Sequence, residues 1–440
     1  MNQTENAGPK KGKNMSDYKI INGTLLLFAE GEVKTEEKTI YIKDGRITFQ
    51  PFSEGEEFEV IDARRRLIMP GLINMHTHSY MTMMRNYADD VPFQEWLFNR
   101  VMPVEDNLPV EAAYWTSMLG CLEMITTGTT CFTDMHMYHK QAASAARDAG
   151  MRAYIGRGLV GEDLYEDGYS RYKQAMEEKE EFASDTLNFL LSPHAIYTCS
   201  EKILVQIAEA AKKDGMLKQI HLSESMTEIE DCLKARGKTP VRYLKDIGFL
   251  DSDTILAHCV QMQEGDLEII RDSGATIVTN VASNAKLGNG IAPLVAMKDL
   301  GINVCVGTDG AASNNTLNMF REMGLLSLMH KAAARDCLAI PSDYIVKMAT
   351  CHAAKALKDP EIGSIHEGAK ADLVFVDLDS PSLFPNNNII SSLCYSANGS
   401  EVDSVMINGR FVMKNRDLLT IDKERVFYEV GKIVEANLIH

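Results

Sequence analysis

The sequence predicts an α/β fold: a TIM (β/α)8 barrel with a small β-sandwich domain formed by the N- and C-terminal segments. Three observations carry that expectation. Apolar runs of strand length recur eight times between residue 71 and about 310, separated by stretches with helical spacing. The two flanks read instead as short strands with hairpin turns, and neither has enough strands for a stable sheet alone. Histidines and acidic residues recur at the C-terminal ends of the apolar runs, where the loops of a barrel share one mouth.

Residues 1–15 are polar, lack the apolar stretch of a secretory signal, and are expected as a disordered tail. Residues 16–69 hold strand-like runs at Tyr18 to Phe28, Lys38 to Phe49 and Phe58 to Ala63, with Asp44-Gly45 as a hairpin signal. The barrel is expected over 70–364. Its strands are Leu72 to His76, Thr129 to Asp134, Arg152 to Gly158, Asn188 to His194, Lys218 to His221, Thr254 to His258, Thr276 to Asn280 and Asn303 to Gly307. Most are runs of Val, Ile, Leu and Thr without polar alternation, as in a parallel sheet covered on both faces. Between them, Ala112 to Ile125, Gln141 to Ala149, Glu201 to Lys212 and Glu264 to Asp272 show helical spacing. A doubly wound open sheet is the structural alternative, but no G-x-G-x-x-G follows the first strand. Strands return at Asp372 to Leu378 and Val402 to Val412, with a hairpin signal at Asn408-Gly409, and Ile421 to Ile439 reads as a closing helix. The segments 16–69 and 365–440 are therefore expected to pair as one β domain beside the barrel.

Composition narrows the function classes. The chain has 440 residues, 45% hydrophobic and 24% charged, as in an ordinary soluble globular protein. A net charge of -17 argues against nucleic-acid binding, which needs a basic stripe. No apolar run is long enough to span a membrane. Nine cysteines without a C-x-x-C pair fit reduced thiols, so a cytoplasmic location is expected. A small-molecule substrate and a homo-oligomeric assembly are expected as well.

The chemistry sits at strand ends. His76 and His78 lie two residues apart on the first strand, so their imidazoles point the same way. Later strands end in Arg157, His194, His221 with Glu224 after it, His258, and Asp309. Any one of these could be a polar core residue satisfied by its neighbours; all of them at one mouth make that reading poor. His76, His78, His221 and Asp309 are expected to hold one divalent metal, with solvent in the remaining position. Zinc is favoured, although Fe2+ or Mn2+ could use the same ligands. Glu224, three residues after His221, is placed to shuttle a proton. His136 and His139 are expected in surface or packing roles, and His330, His352, His366 and His440 show no partner pattern. Met75, Met81, Met83 and Met84 are expected to fill core gaps or line a lid.

Several motifs extend the pattern: Pro70-Gly-Leu-Ile-Asn-Met-His-Thr-His, Gln219-Ile-His-Leu-Ser-Glu, Ala257-His-Cys-Val and Gly307-Thr-Asp-Gly-Ala-Ala-Ser-Asn-Asn. Glu95-Trp-Leu-Phe, Val104-Glu-Asp, Ser192-Pro-His and Ala285-Lys-Leu-Gly-Asn-Gly-Ile-Ala-Pro accompany them. In these the chain resembles the amidohydrolase superfamily, and within it the methylthioadenosine/S-adenosylhomocysteine deaminases. The resemblance implies one Zn2+ per chain, because His194 stands where binuclear members carry a bridging lysine. It implies attack of activated water on the six-position carbon of adenine, with Glu224 carrying a proton to N1, His258 orienting the nucleophile and Asp309 accepting its proton. Trp96 would pack on the nucleoside, Glu105 would bind the ribose hydroxyls, and His194 and Ser313 would contact substrate. Arg157, and in the following loop Arg171, would meet the carboxylate of an amino-acid tail.

Two alternatives remain at this stage. A triazine amino- or chlorohydrolase would use the same metal motifs, but offers Glu105 and the arginines no ribose or carboxylate. A non-catalytic scaffold barrel would not need the intact ligand set or Glu224.

Overall fold

The computed structural model describes residues 17–29, 31–166 and 169–438. The tail expected over 1–15 lies outside them, as does His440.

Eight parallel strands pair in chain order: Leu72–Thr77, Thr129–His136, Arg152–Leu159, Leu187–Pro193, Lys218–Leu222, Thr254–His258, Thr276–Thr279 and Val304–Val306. The sheet curls until its ends meet, where the Asp309 N–H donates to the His76 carbonyl at 2.9 Å. Strand residues are almost all buried, because helices such as Val110–Thr126, His139–Ala149 and Glu201–Asp214 cover the outside. Inside the barrel, Ile73, Met75, Tyr154, Leu190, Ile255 and Val278 pack into a plug, and the helix Cys351–Ala356 closes it from below with Ala353 and Ala354. The centre of the lower barrel is therefore solid and apolar, and the groups that could carry chemistry gather at the mouth.

The flanks form a two-sheet sandwich. One sheet has the order Arg46–Thr48, Ile40–Lys43, Tyr18–Ile21, Glu59–Asp62. The other runs Asp417–Leu418, Arg410–Lys414, Val402–Ile407, Leu373–Asp377, Arg66–Pro70, Thr24–Ala29, Glu32–Glu37. N- and C-terminal segments join where Leu373–Asp377 pairs antiparallel with Arg66–Pro70. Ile20, Leu25, Ile42, Ile68, Leu373 and Phe375 fill the space between the sheets.

The single run expected from Tyr18 to Phe28 is two strands in different sheets. The chain breaks at Asn22, whose φ of +61° ends the first strand. Both hairpin signals are turns with the left-handed backbone of tight hairpins, Asp44-Gly45 and Asn408-Gly409. Their tips abut: a Cβ on Gly409 would lie 2.4 Å from Gly45 Cα, so only glycine fits there. No helix among the described residues is long and apolar enough to cross a membrane.

Candidate active site

Strand alternation builds the centre of the mouth. His76 and His78 turn inward, while Thr77 between them turns away and donates to the Thr133 carbonyl and to Asp134. His221, at the end of the fifth strand, places its Nε2 3.1 Å from His76 Nε2 and 3.3 Å from His78 Nε2. Asp309 Oδ1 lies 3.6 Å from His76 Nε2 and 3.4 Å from His78 Nε2.

The other nitrogen of each ring is occupied. Nδ1 of His78 meets the Met135 carbonyl at 2.8 Å, Nδ1 of His221 the His194 carbonyl at 2.8 Å, and Nδ1 of His76 Gln219 Oε1 at 3.3 Å. Since each of these partners accepts, the proton of each neutral ring is assigned to Nδ1, leaving the three Nε2 lone pairs facing one another. Burial favours that neutral state: it pulls His76 down to about 3 and His221 well below the usual imidazole range.

Three lone pairs and a carboxylate oxygen at these separations repel unless a cation lies between them. Ligand bonds of about 2.0–2.1 Å put tetrahedral donors roughly 3.3 Å apart, which is the spacing seen. The four residues therefore fit a divalent metal. Burial would raise Asp309, but His78, His258 and His76 outweigh it, with a hydrogen bond from Ser283, and hold the carboxyl well below the ordinary range.

Two further groups flank this centre. His258 ends the sixth strand at a φ of +74°, a strained backbone that turns its ring inward. Its Nδ1 meets Asn284 Oδ1 at 2.9 Å, and its Nε2 lies 3.8 Å from Glu224 Oε2. Burial lowers His258, yet Glu224 and Asp309 reverse the effect and raise it. Glu224 is itself raised by burial, which the charge of His258 only partly offsets, and Asn289 Nδ2 donates to its Oε1 at 3.0 Å.

A cavity of about 660 Å³ opens above the cluster, within the range of small-molecule sites. His194, Trp96, Glu105, Arg157 and Arg171 all line it. Trp96 sits on the helical segment Glu95–Val101 and donates from Nε1 to the Ala312 carbonyl at 3.3 Å. Glu105 is hydrogen-bonded by the Tyr80 hydroxyl and raised by burial. His194 Nδ1 pairs with Thr198 Oγ1 at 3.0 Å, and burial pulls its ring down to about 4. Ser313 is placed otherwise: it is 1% exposed, does not line the cavity, and donates to Asp309 Oδ2 at 2.7 Å. Its place makes it a support of Asp309.

His136 is buried against the Tyr80 ring at the cavity edge, and His139 is buried beneath the wall, in line with packing roles. Met75 lies in the barrel plug, while Met83 and Met84 pack with Trp96 and Leu97.

Sequence reasoning missed the residues that hold these groups. Glu228 accepts the Ser223 and Glu224 N–H groups, each at 2.9 Å, and so fixes the backbone of Glu224. A partial signal existed: Ser225-x-x-Glu228 has the spacing of a capping box and Ser225 caps Met226–Arg236, but the Glu228 carboxylate bonds the N–H groups of Ser223 and Glu224, upstream of the cap residue. Glu322 accepts from Asn314 Nδ2 at 2.6 Å and from the Ala282 N–H at 3.3 Å. It thereby braces the neighbours of Ser313 and Ser283, the two hydroxyls that donate to Asp309 Oδ2. No local pattern announces that one.

Known proteins resemble this chain in sequence and fold. A model of the amidohydrolase family matches residues 67–412. A 5-methylthioadenosine/S-adenosylhomocysteine deaminase of Thermoanaerobacter pseudethanolicus is 42% identical over 419 residues, 94% of this chain and 97% of its own. A 5'-deoxyadenosine deaminase of Methanosarcina mazei is 37% identical, with 96% of this chain and 98% of its own covered. Among solved structures, a zinc-bound adenosine deaminase from Xanthomonas campestris superposes with a TM-score of 0.90 at 27% identity, covering 96% and 98% of the two chains. With a family match over most of its length and relatives this similar along nearly all of it, the chain belongs to the amidohydrolase family.

Proposed function

We propose that this protein is a cytoplasmic, hydrolytic deaminase of 5′-substituted adenosines. It converts S-adenosylhomocysteine and 5′-methylthioadenosine, and in the same cavity adenosine and 5′-deoxyadenosine, to the inosyl products and ammonia. One Zn2+ per chain is held by His76, His78, His221 and Asp309. The observation that carries the reading is the cluster of His76, His78 and His221 Nε2 atoms at the foot of a nucleoside-sized cavity, with an Asp309 oxygen within 3.6 Å of His76 and His78 Nε2 and with Glu224 and His258 beside them. The names of the relatives support the choice of an adenine substrate.

A divalent metal held by these four residues would supply Lewis-acid activation of a water molecule, whose pKa such a metal lowers to about 7. The chain's own residues move the protons. Glu224, raised by burial, takes a proton from the attacking water and passes it to N1 of the ring, which makes C6 electrophilic. His258 holds the attacking oxygen in line with C6, its own ring fixed by Asn284. Asp309, kept ionised by the imidazoles around it, accepts the second proton and delivers it to the amino group. The C6–O bond then stays, the C6–N bond breaks, and ammonia leaves. Trp96 packs on the nucleoside, Glu105 binds the ribose hydroxyls, and His194 contacts the substrate from the fourth strand.

The test is to give the purified, metal-loaded protein S-adenosylhomocysteine, 5′-methylthioadenosine, adenosine, 5′-deoxyadenosine and a chlorotriazine. Ammonia release and the adenine-to-hypoxanthine absorbance change are followed. Turnover of the adenosines is expected; turnover of the triazine alone would overturn the reading.

A further inference from the structure

Away from the metal cluster, one wall of the cavity carries charges of both signs. Arg157 comes from the third strand, and Arg171 and Glu178 from the helix Tyr169–Phe182. Arg171 and Glu178 are seven residues apart, two helical turns, and so share a face. All three line the cavity.

Glu178 and Arg157 are neighbours without being closed on each other. Glu178 Oε2 lies 3.9 Å from Arg157 Nη1 and 2.6 Å from Nδ1 of His139, which holds the carboxylate from behind. Arg157 Nε is buried with no hydrogen-bond partner among the described residues. Lys140 also reaches the wall, but its Nζ is engaged by Glu181 at 3.0 Å. Where this protein buries an ion pair for the fold, the contact is tight: Arg152 meets both oxygens of Asp372, at 2.6 and 3.1 Å. The wall pair is longer, half-satisfied and turned to the cavity, which is the state of groups that wait for a ligand.

A neutral 5′ substituent would leave Arg157 Nε without a partner, Glu178 with His139 and a distant Arg157, and Arg171 with only the Gly158 carbonyl at 3.4 Å. A tail bearing only a carboxylate would suit the arginines but face Glu178. A tail with carboxylate and ammonium on one carbon satisfies both. The family resemblance already implies that Arg157 and Arg171 take the carboxylate of an amino-acid tail; we infer that Glu178 takes its ammonium. Glu178 is then a specificity-determining residue that favours S-adenosylhomocysteine over adenosines with neutral tails. The inference rests on the deaminase reading above.

The experiment compares three substrates: S-adenosylhomocysteine, the analogue in which hydrogen replaces its α-ammonium, and 5′-methylthioadenosine. Each is measured with the metal-loaded wild-type protein and with Glu178→Gln, which keeps size and shape. The wild-type kcat/KM should favour S-adenosylhomocysteine over the deaminated-tail analogue by about tenfold or more, the worth of a hydrogen bond to a charged group. In Glu178→Gln the loss should fall on S-adenosylhomocysteine alone, with 5′-methylthioadenosine within about twofold because it makes no such bond, and the deaminated-tail analogue unchanged or improved because its carboxylate no longer faces a negative charge. Equal rates on the first two substrates in the wild-type protein would overturn the inference without need of the variant. An equal loss on all three in Glu178→Gln would also overturn it, by reducing Glu178 to a support of Arg157. No turnover of any adenosine by the wild-type protein would instead overturn the deaminase reading itself.

Discussion

The mouth and the floor of the barrel both bury charge, and they do so in opposite ways. At the floor, Arg152 at the start of the third strand meets Asp372 of the sandwich in a forked pair, both side chains buried. Asp372 Oδ1 also accepts the Asn408 N–H at 2.7 Å, and Arg152 reaches the Asp185 carbonyl. Every charge there has its partner, so the arrangement locks sandwich to barrel and asks for nothing more. At the mouth, three Nε2 lone pairs and an Asp309 oxygen face one another within 3.1 to 3.6 Å, with their outer atoms already bonded. Saturated charge is structural; convergent, unsaturated charge is a site.

The floor gives the largest expected effect. Arg152→Met removes one partner of a buried pair and leaves Asp372 charged without its cation, which costs about 3–5 kcal/mol of unfolding free energy. Denaturant titration checks this, and Arg152→Met with Asp372→Leu should recover much of the loss. Metal content of the folded single variant should stay normal, because no ligand is touched. Next comes the mouth itself: Glu224→Gln should keep its metal and lose at least about 10²-fold in turnover, the usual contribution of an acid–base group. Near-normal turnover in that variant would remove Glu224 from proton transfer.

Much of this contrast was legible in the sequence, because it depends on local rules. His76, His78, His221, His258 and Asp309 were found by strand alternation and by the rule that barrels work at strand ends. The eight barrel strands followed from apolar runs, which a fully covered parallel sheet demands. What escaped was non-local or hidden by polarity. Glu32–Glu37 is an edge strand, and its charged, solvent-facing residues conceal it while protecting the edge. The Tyr18 to Phe28 run was read as one strand although Asn22-Gly23 interrupts it with the same residue pair as Asn408-Gly409; Asn22 there redirects the chain between two sheets through its left-handed backbone and closes no hairpin. Ser313 was expected at the substrate, but its orientation depends on Asp309 and on Glu322, which lies on a later helix.

Smaller effects sharpen the comparison. Glu228 behaves like a floor residue placed in the mouth, a carboxylate with two backbone donors. Glu228→Gln offers one acceptor oxygen to those two N–H groups, so one is left unsatisfied at about 1–3 kcal/mol. Turnover should fall by about tenfold with metal retained, because the cost appears as misplacement of Glu224. The smallest effect is on pH dependence. Glu224 must be ionised to take a proton, and burial raises its pKa above the ordinary glutamate value of 4.5. Activity should therefore fall with falling pH at a higher pH than an ordinary glutamate would dictate. His76, pulled down to about 3, keeps its metal-binding form through that window. A kcat profile flat down to the ordinary glutamate range would contradict the assignment.

The central claim is that the convergent lone pairs at the mouth hold a metal on which activity depends. The most direct measurement is metal content per chain by elemental analysis alongside kcat, during graded removal by a chelator and graded return of Zn2+. The account predicts about one metal per chain in the active protein, turnover proportional to occupancy, and loss of both in His221→Ala. Full turnover at an occupancy well below one, or in His221→Ala, would contradict it.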